Sequence, residues 1–286
     1  MQRIALMQGR LLPPEGETIQ GFPRDRWREE FALAAAAEVD AIEWIYDRHG
    51  ADVNPLVTDA GVAEMRALSR QHGIAVVSLC ADYFLECPFV RVAPDNVRDL
   101  TAHLIWLIGR CSRAGITRVV LPFVDAARID TPGDEQRTVE VLRQILPLCA
   151  STGVELHLET SLAPDAFSSL LAQIPDPLCR VNYDSGNSAS LGHDVASELA
   201  AYGSRIGSVH IKDRVHRGGT VPLGTGDADL PALFKGLAGL RYQGDYVLQV
   251  ARGTDGSEVK WARHNRAFVI QQLGHAVHSG ARKPRC

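Results

Sequence analysis

The chain has 286 residues, a formal net charge of −4, 45% hydrophobic and 22% charged residues. These proportions are typical of globular proteins and exclude an intrinsically disordered chain, which has fewer apolar residues and more net charge. The balance of 30 basic against 34 acidic residues is not the basic surface expected of a nucleic-acid-binding protein. Because no apolar run reaches about 18 residues, the sequence predicts no membrane-spanning helix.

The six cysteines occur without CxxC pairing, and most lie in apolar runs. This usage is typical of reduced thiols, and the N-terminal apolar stretch is too short for a secretory signal, so we expect a cytoplasmic protein. No Ser/Gly linker or shift in composition divides the chain. We therefore predict one domain over residues 1–286, with a flexible C-terminal tail at about 279–286.

Short β-branched runs alternate along the chain with segments whose apolar residues recur at helical spacing. The predicted strands are Ile4–Gly9, Ala41–Tyr46, Ile74–Ala81, Arg118–Val124, Val154–Thr160, Arg180–Asp184, Gly207–Lys212 and Asp245–Val250. They start roughly 35 residues apart, close to the ~31 residues per unit of a (β/α)₈ barrel. Gly73, Gly115 and Gly153 stand where a helix must end in a left-handed residue before the next strand.

This order predicts an α/β protein, a single (β/α)₈ TIM barrel. The competing fold is an open, doubly wound sheet, which is expected to carry a glycine-rich turn after its first strand. The segment after the first predicted strand, residues 8–14, has no G-x-G-x-x-G. The barrel is therefore the better interpretation.

Because side chains alternate along a strand, residues of one parity point to the barrel axis. Polar inward positions cluster near the carboxyl ends of the last four strands, at Glu159, Asp184, His210 and Gln249. Barrel enzymes hold their chemistry at this end. These groups are costly to bury together unless a cation binds them, so they predict one divalent ion: Mn²⁺, Mg²⁺, Co²⁺, Fe²⁺ or Zn²⁺. The alternative is a structural polar network in which Lys212 pairs with a carboxylate.

Four motifs carry a resemblance to a known family. They are Leu158-Glu159-Thr160, Asn182-Tyr183-Asp184-Ser185-Gly186-Asn187, Val209-His210-Ile211-Lys212-Asp213-Arg214 and Val221-Pro222-Leu223-Gly224-Thr225-Gly226-Asp227. In order and spacing the chain resembles the xylose isomerase-like TIM-barrel family, from about residue 4 to about 270. That family contains sugar and sugar-phosphate isomerases and epimerases and, more distantly, abasic-site endonucleases.

The resemblance implies that Glu159, Asp184 and His210 match the first three metal ligands of ketose 3-epimerases. In that branch two glutamates act as acid and base on opposite faces of the sugar, but the fourth ligand position here is Gln249. A carboxamide oxygen can bind a metal, yet it cannot accept a proton from carbon. We therefore predict Glu159 as the catalytic base, and same-face aldose–ketose isomerisation fits as well as epimerisation. Candidates for a second proton donor are Glu43, His157 and Lys212.

Four residues are predicted to bind substrate: Glu43, Asn187, Lys212 and Arg252. Asn187 stands where the epimerase branch often has a substrate-binding histidine. The two basic residues lie at or just beyond strand ends, where they can meet a phosphate or carboxylate. The long, glycine-rich segment 216–227 is interpreted as a lid over the substrate.

The sequence thus predicts a divalent-metal-dependent isomerase or epimerase of a small sugar or sugar phosphate, without a nucleic-acid or membrane partner. It also allows a homo-oligomer. Alternatives are a metal-dependent keto-polyol dehydratase and a catalytically silent sugar-binding family member. An abasic-site endonuclease is disfavoured, because the first four strand ends offer Gln8, Glu43 and Asp82 but no histidine for a multi-metal cluster.

Overall fold

The computed structural model describes residues 2–14, 20–253 and 256–280, with the side chains of residues 277–280 excepted. In these ranges eight parallel strands form a barrel: β1 (Ile4–Met7), β2 (Ala41–Ile45), β3 (Ala75–Cys80), β4 (Arg118–Phe123), β5 (Glu155–Thr160), β6 (Cys179–Asp184), β7 (Ile206–Ile211) and β10 (Tyr246–Leu248). They close in the order β1-β10-β7-β6-β5-β4-β3-β2. The predicted (β/α)₈ barrel is confirmed, with strand ends shifted by a few residues.

Helices follow the strands on the outside of the barrel. They are α1 (Glu29–Ala36), α2 (Asp59–His72), α3 (Tyr83–Glu86), α4 (Pro94–Ala114), α5 (Pro132–Thr152), α6 (Pro164–Ala172), α7 (Ser185–Leu191), α8 (Val195–Tyr202), α9 (Leu230–Gly239) and α10 (Glu258–Gly280). Gly73, Gly115 and Gly153 end α2, α4 and α5 with φ of 68°, 86° and 69°, so the predicted left-handed helix ends are confirmed. Across the described ranges, no helix has the length and apolarity needed to cross a membrane.

The outward faces of the strands form the core beneath the helices. Trp44 of β2 is completely buried. Its ring centroid lies 5.9 Å from that of Phe22, 5.6 Å from Trp27 and 6.0 Å from Phe31. Such aromatic pairs each contribute about 0.5–1.5 kcal/mol beyond the area they bury. This cluster fixes the carboxyl half of β2, from which Glu43 points the other way, into the barrel.

After β7 the chain forms a small antiparallel pair, β8 (Asp213–Arg214) with β9 (Thr220–Val221). The buried Asp213 carboxylate accepts hydrogen bonds from the backbone N–H groups of Gly224 (2.9 Å), Gly226 (3.0 Å) and Ala228 (3.0 Å). The segment interpreted as a lid is therefore anchored at this carboxylate. Of the predicted flexible tail, residues 281–286 lie outside the described residues, while residues 279 and 280 belong to α10.

Candidate metal centre and active site

Glu159, Asp184 and His210 come together at the carboxyl ends of β5, β6 and β7. All three are buried, and one ligand atom from each lies within 4.8 Å of the others. The strand parity predicted from the sequence puts these side chains inside the barrel, while Leu158 and Val209 pack outward in the core. Three of the four predicted metal ligands therefore converge.

His210 is oriented by Glu43. The Nε2 atom of His210 lies 2.6 Å from Glu43 Oε1, and both side chains are completely buried. The other ring nitrogen, Nδ1, lies 3.2 Å from Glu159 Oε2 and 3.9 Å from Asp184 Oδ2, and has no hydrogen-bond partner among the described residues. Nδ1 is thus the ring atom that faces the two carboxylates. Glu43, predicted to bind substrate, lies behind the histidine, on the side away from that pair.

Charges around His210 favour a cation at this point. Burial lowers the pKa of His210, but the carboxylates of Glu43 and Glu159 outweigh burial and raise the pKa to about 10. Without a metal the imidazole therefore carries a proton, and a divalent cation would replace it. Metal binding at a histidine requires the neutral ring, so binding here would release a proton.

The two carboxylates have different partners. Glu159 accepts hydrogen bonds from the amide groups of Asn182 (2.8 Å, Oε2) and Asn187 (2.7 Å, Oε1), both neutral donors. Asp184 instead pairs with the Lys212 ammonium at 2.7 Å. Burial raises the pKa of Asp184, but Lys212 and then His210 outweigh burial and hold it below its ordinary range. Asp184 is therefore kept as an anion by a lysine, whereas Glu159 is held by two amide groups and faces the His210 ring.

Local sequence explains how Asn187 and Lys212 reach these carboxylates. Asp184 ends β6 and also caps α7, since its Oδ1 accepts the backbone N–H of Asn187 at 2.8 Å. Gly186 leaves room for the lysine stem, because a Cβ there would lie 2.6 Å from Lys212 Cγ. Asn187 and Lys212, two of the four residues predicted to bind substrate, thus contact the predicted metal-binding carboxylates themselves. The amide oxygen of Asn187 is held by Arg214 at 2.9 Å, which directs its NH₂ group to Glu159.

Gln249 lies one residue beyond β10 and is 6% exposed. Its backbone N–H donates to Ile211 O at 3.1 Å, so it stands beside the strand end that carries His210. The side-chain Nε2 donates to Gln20 Oε1 at 3.0 Å, whereas the buried Oε1 has no partner among the described residues. A buried carbonyl oxygen left without a partner costs about 1–3 kcal/mol, which a bound cation would offset.

These donors suit the metal implied by the fold family. Two carboxylates, one imidazole nitrogen and one carboxamide oxygen form an oxygen-rich set with a single nitrogen, compatible with the divalent ions predicted from the sequence. Among the four candidate ligands, His210 Nδ1 and Gln249 Oε1 are the buried atoms without a hydrogen-bond partner, and a cation would satisfy both. That all four predicted ligands bind a single ion stays a prediction.

A cavity of about 350 Å³ opens at the same end of the barrel, within the size range of small-molecule sites. It is lined by Gly9, Leu12, Pro13, Gln20, Gly21, Phe22, Pro23, Asp47, His49, Asp82, Leu85, Glu86 and Arg252. Arg252 is held in the wall because it donates to the carbonyl oxygens of Leu12 (2.8 Å) and Gly9 (2.7 Å). Of the four predicted substrate-binding residues, Arg252 is the one that lines this cavity.

The structure does not favour the candidates for a second proton donor. Glu43 contacts His210, and Lys212 pairs with Asp184. His157 lies deeper in the barrel, 2.7 Å from Ser208 Oγ and 2.8 Å from Glu155 Oε2, and burial lowers its pKa. The sequence predicts the inward parity of all three, but each is already paired with a neighbour.

The contacts of three residues at the site carry little signal in the sequence. Gln20 lies in the irregular segment between β1 and α1, yet its amide bridges Gln249 and Asp82. Asn182 has the inward parity of β6, but its hydrogen bond to Glu159 depends on the register between β5 and β6. Asp82 follows β3 and stands out only as an acidic residue at a strand end.

The chain matches the sequence model of a family described as "Xylose isomerase-like TIM barrel" over residues 31–272. It belongs to this family. The family resemblance predicted from the four motifs is confirmed.

Within the xylose isomerase-like family, the chain is 26% identical over 241 residues to an Escherichia coli K12 protein named "Putative L-ribulose-5-phosphate 3-epimerase SgbU". The match covers 78% of this chain and 83% of that protein. A solved L-ribulose 3-epimerase has a TM-score of 0.78 at 18% identity, with both chains covered completely. The protein IOLI, solved with a zinc atom, has a TM-score of 0.76 at 16% identity over 96% of this chain and 99% of that one. At these identities the two solved structures establish the shared fold.

Proposed function

We propose that the protein is a divalent-metal-dependent epimerase of a small ketose or ketose phosphate, in which Glu159 removes a proton next to a carbonyl. The observation that carries the proposal is the convergence of Glu159, Asp184 and His210 Nδ1 in a buried cluster at the end of the barrel that holds the 350 Å³ cavity. The enzyme class, a sugar isomerase or epimerase, is the one predicted from the sequence. The names of the relatives support it.

The metal would be held by Glu159, Asp184, His210 and Gln249. When bound, it would polarise the sugar carbonyl and its neighbouring hydroxyl and so stabilise the enediolate that proton removal leaves. Identity of the ion stays open among Mn²⁺, Mg²⁺, Co²⁺, Fe²⁺ and Zn²⁺, although one solved neighbour holds zinc.

The partners of the two carboxylates assign their roles. Asp184 is paired with Lys212, which stabilises its charged form and makes it a poor base. Glu159 has no lysine or arginine partner among the described residues: it accepts hydrogen bonds from the amides of Asn182 and Asn187, and its Oε2 lies 3.2 Å from His210 Nδ1. We therefore assign the base to Glu159. A general base placed in this way accelerates proton transfer by roughly 10²–10⁴-fold.

A phosphate on the substrate would meet Arg252 in the cavity wall. Its guanidinium is held by two backbone carbonyls and is suited to bind an anionic oxygen pair. The name of the Escherichia coli relative, a 5-phosphate epimerase, supports a phosphorylated substrate.

Other features of the proposal rest on general properties of the chain. The described cysteines, Cys80, Cys87, Cys111, Cys149 and Cys179, are free thiols, which supports the cytoplasmic location. A single domain over residues 1–286, a small-molecule partner in place of nucleic acid or membrane, and a homo-oligomer stay predictions.

Deuterium wash-in tests the proposal. The purified protein, reconstituted with Mn²⁺ in D₂O, is incubated with L-ribulose, L-ribulose 5-phosphate, D-allulose and D-tagatose, and products are read by mass spectrometry and chromatography. We expect incorporation of one deuterium and formation of the epimer for at least one of these sugars. Glu159→Gln should abolish both, because the base is lost, and should bind Mn²⁺ more weakly.

Other outcomes would contradict the proposal. Loss of water from the sugar would identify a keto-polyol dehydratase, and metal binding without isotope incorporation would identify a silent sugar-binding protein. Wild-type rates in Glu159→Gln would remove Glu159 as the base.

A further inference from the structure

Asp82 lies in the wall of the 350 Å³ cavity, directly after β3 and Ala81. Its Oδ2 accepts a hydrogen bond from Gln20 Nε2 at 2.7 Å, and its Oδ1 accepts one from the Cys80 thiol at 3.1 Å. Both donors are neutral. Asp82 is therefore a carboxyl group at the cavity whose contacts leave it able to gain or lose a proton.

The other acidic residues of the cavity wall are placed differently. Asp47 is 8% exposed, and its two oxygens accept backbone N–H groups, from Phe22 at 2.7 Å and Gly50 at 2.6 Å. These backbone hydrogen bonds hold the loops on both sides, so Asp47 has a structural role. Glu86 is exposed at the end of α3, where water solvates its charge.

Gln20 connects Asp82 to the metal centre. Its Nε2 donates to Asp82, while its Oε1 accepts from Gln249 Nε2 at 3.0 Å. Asp82 is thus two hydrogen bonds away from the residue that replaces the second glutamate of the ketose 3-epimerases. This hydrogen-bonded path links a carboxyl group that follows another strand to the position where the family resemblance implies a glutamate.

The surroundings of Asp82 bring its pKa closer to neutral pH. Burial raises the pKa of Asp82 to about 6, against the hydrogen bonds from Gln20 and Cys80, and the charges of Glu159 and Asp47 add to the rise. Arg10 faces the same group from the segment after β1. A carboxyl group with a pKa close to the working pH can serve as either acid or base.

We propose that Asp82 is the second acid–base residue of the epimerisation, acting on the face of the sugar opposite Glu159. The inference rests on the proposed function. Glu159 takes the proton from the carbon next to the carbonyl, and the electron pair of that C–H bond forms the enediolate. Asp82 then gives its carboxyl proton to the opposite face of the same carbon as the carbonyl re-forms. Exchange with water returns Glu159 to the carboxylate and Asp82 to the acid, so the cycle needs no other reactant.

The test is the Asp82→Asn variant with Mn²⁺, studied in D₂O with the sugar that the wild-type protein epimerises. The carboxamide keeps an oxygen acceptor for Gln20 but cannot donate a carboxyl proton. We expect epimer formation to fall by at least about 100-fold. The epimer whose hydrogen faces Glu159 should still exchange that hydrogen for deuterium, while the other epimer should not. Mn²⁺ content should stay at the wild-type level, which separates this effect from damage to the metal centre.

Asp125→Asn is the matched control, because Asp125 is the exposed aspartate that follows β4 at the same end of the barrel. It should epimerise at the wild-type rate. Asp82→Ser also replaces the carboxyl group, here by a hydroxyl group. Its epimer formation and deuterium exchange are measured in the same way, so that the result does not depend on one replacement.

Wild-type epimerisation in a folded Asp82 variant would overturn the inference, and so would equal loss of exchange from both epimers with Mn²⁺ retained. Failure of the proposed function looks different: the wild-type protein itself would then exchange no hydrogen in any sugar tested.

Discussion

Glu43 contacts the metal centre through His210, because Glu43 Oε1 lies 2.6 Å from His210 Nε2. A carboxylate behind a ligating imidazole holds the ring orientation and directs the other nitrogen to the metal. We therefore expect Glu43→Gln to weaken Mn²⁺ binding by about 10–100-fold, the usual effect of losing such a partner, as measured by titration calorimetry.

Glu155→Gln is the control, because Glu155 makes the equivalent contact to His157 at 2.8 Å in the deeper part of the barrel. It should leave Mn²⁺ affinity unchanged. Equal Mn²⁺ affinities of the wild-type protein and Glu43→Gln would show that His210 does not need Glu43 in order to bind the metal.

Gln249 allows a second test of the ligand set. Gln249→Glu places a full negative charge where the buried carboxamide oxygen lacks a partner. Mn²⁺ should therefore bind at least as tightly as in the wild-type protein, again by calorimetry. A folded Gln249→Glu variant that binds no Mn²⁺ would argue that residue 249 does not face the metal.

The residues of the site differ in whether the sequence predicts them. Glu159, Asp184 and His210 can be predicted because the alternation of their strands makes them inward, whatever the loops do. Gln20 cannot, because no periodicity marks its segment and its contact with Gln249 joins positions 229 residues apart. Contacts of that kind depend on the closure of the whole barrel.

At the scale of elements, the segment from β8 to α9 is held by one buried carboxylate. Asp213 accepts three backbone N–H groups, and hydrogen bonds to charged groups contribute about 1.5–3 kcal/mol each. We expect Asp213→Ala to release this segment and speed tryptic cleavage after the exposed Arg217 at least tenfold. Activity should fall too, because Arg214 of this segment positions Asn187.

Asp229→Ala serves as the comparison, since Asp229 makes a single backbone contact, to Ala232 at 3.0 Å, at the start of α9. Its cleavage after Arg217 should resemble that of the wild-type protein. Unchanged cleavage in Asp213→Ala would mean that other contacts hold the segment in place.

The helices and strands also differ in whether the sequence predicts them. The strands and the ends of α2, α4 and α5 follow from local alternation and from glycines that must be left-handed. Helix α7 does not, because Ser185, Gly186 and Asn187 look like a turn. The helix begins because Asp184 caps it, and that cap is what brings the Asn187 amide over Glu159.

In the molecule as a whole, Asp245 links three parts of the chain at the amino-terminal end of the barrel. It precedes β10 and pairs with Arg118 of β4, whose side chain is 12% exposed, and with Arg3 before β1 at 3.2 Å. Asp245→Asn leaves the Arg118 charge without its partner, and breaking such a buried pair costs about 3–5 kcal/mol of unfolding free energy. Urea unfolding at pH 7 should show a loss of this size.

The same ion pair gives a pH dependence. Burial raises the pKa of Asp245, but Arg118 and Arg3 outweigh burial and hold it below the ordinary range. Its stabilisation is therefore complete above the unfolded pKa of about 4 and is lost as the pH falls through the lower folded value. The difference in unfolding free energy between wild type and Asp245→Asn should shrink below about pH 4. A difference that stays constant down to pH 2 would show that the carboxylate charge is not what stabilises the barrel.

Anomalous diffraction from a crystal grown with Mn²⁺ would show whether Glu159, Asp184, His210 and Gln249 share one ion. We expect a single strong peak about 2.0–2.5 Å from the carboxylate oxygens, from His210 Nδ1 and from Gln249 Oε1. No peak among these atoms, or a cluster of two or three peaks as in a multi-metal nuclease, would contradict this expectation.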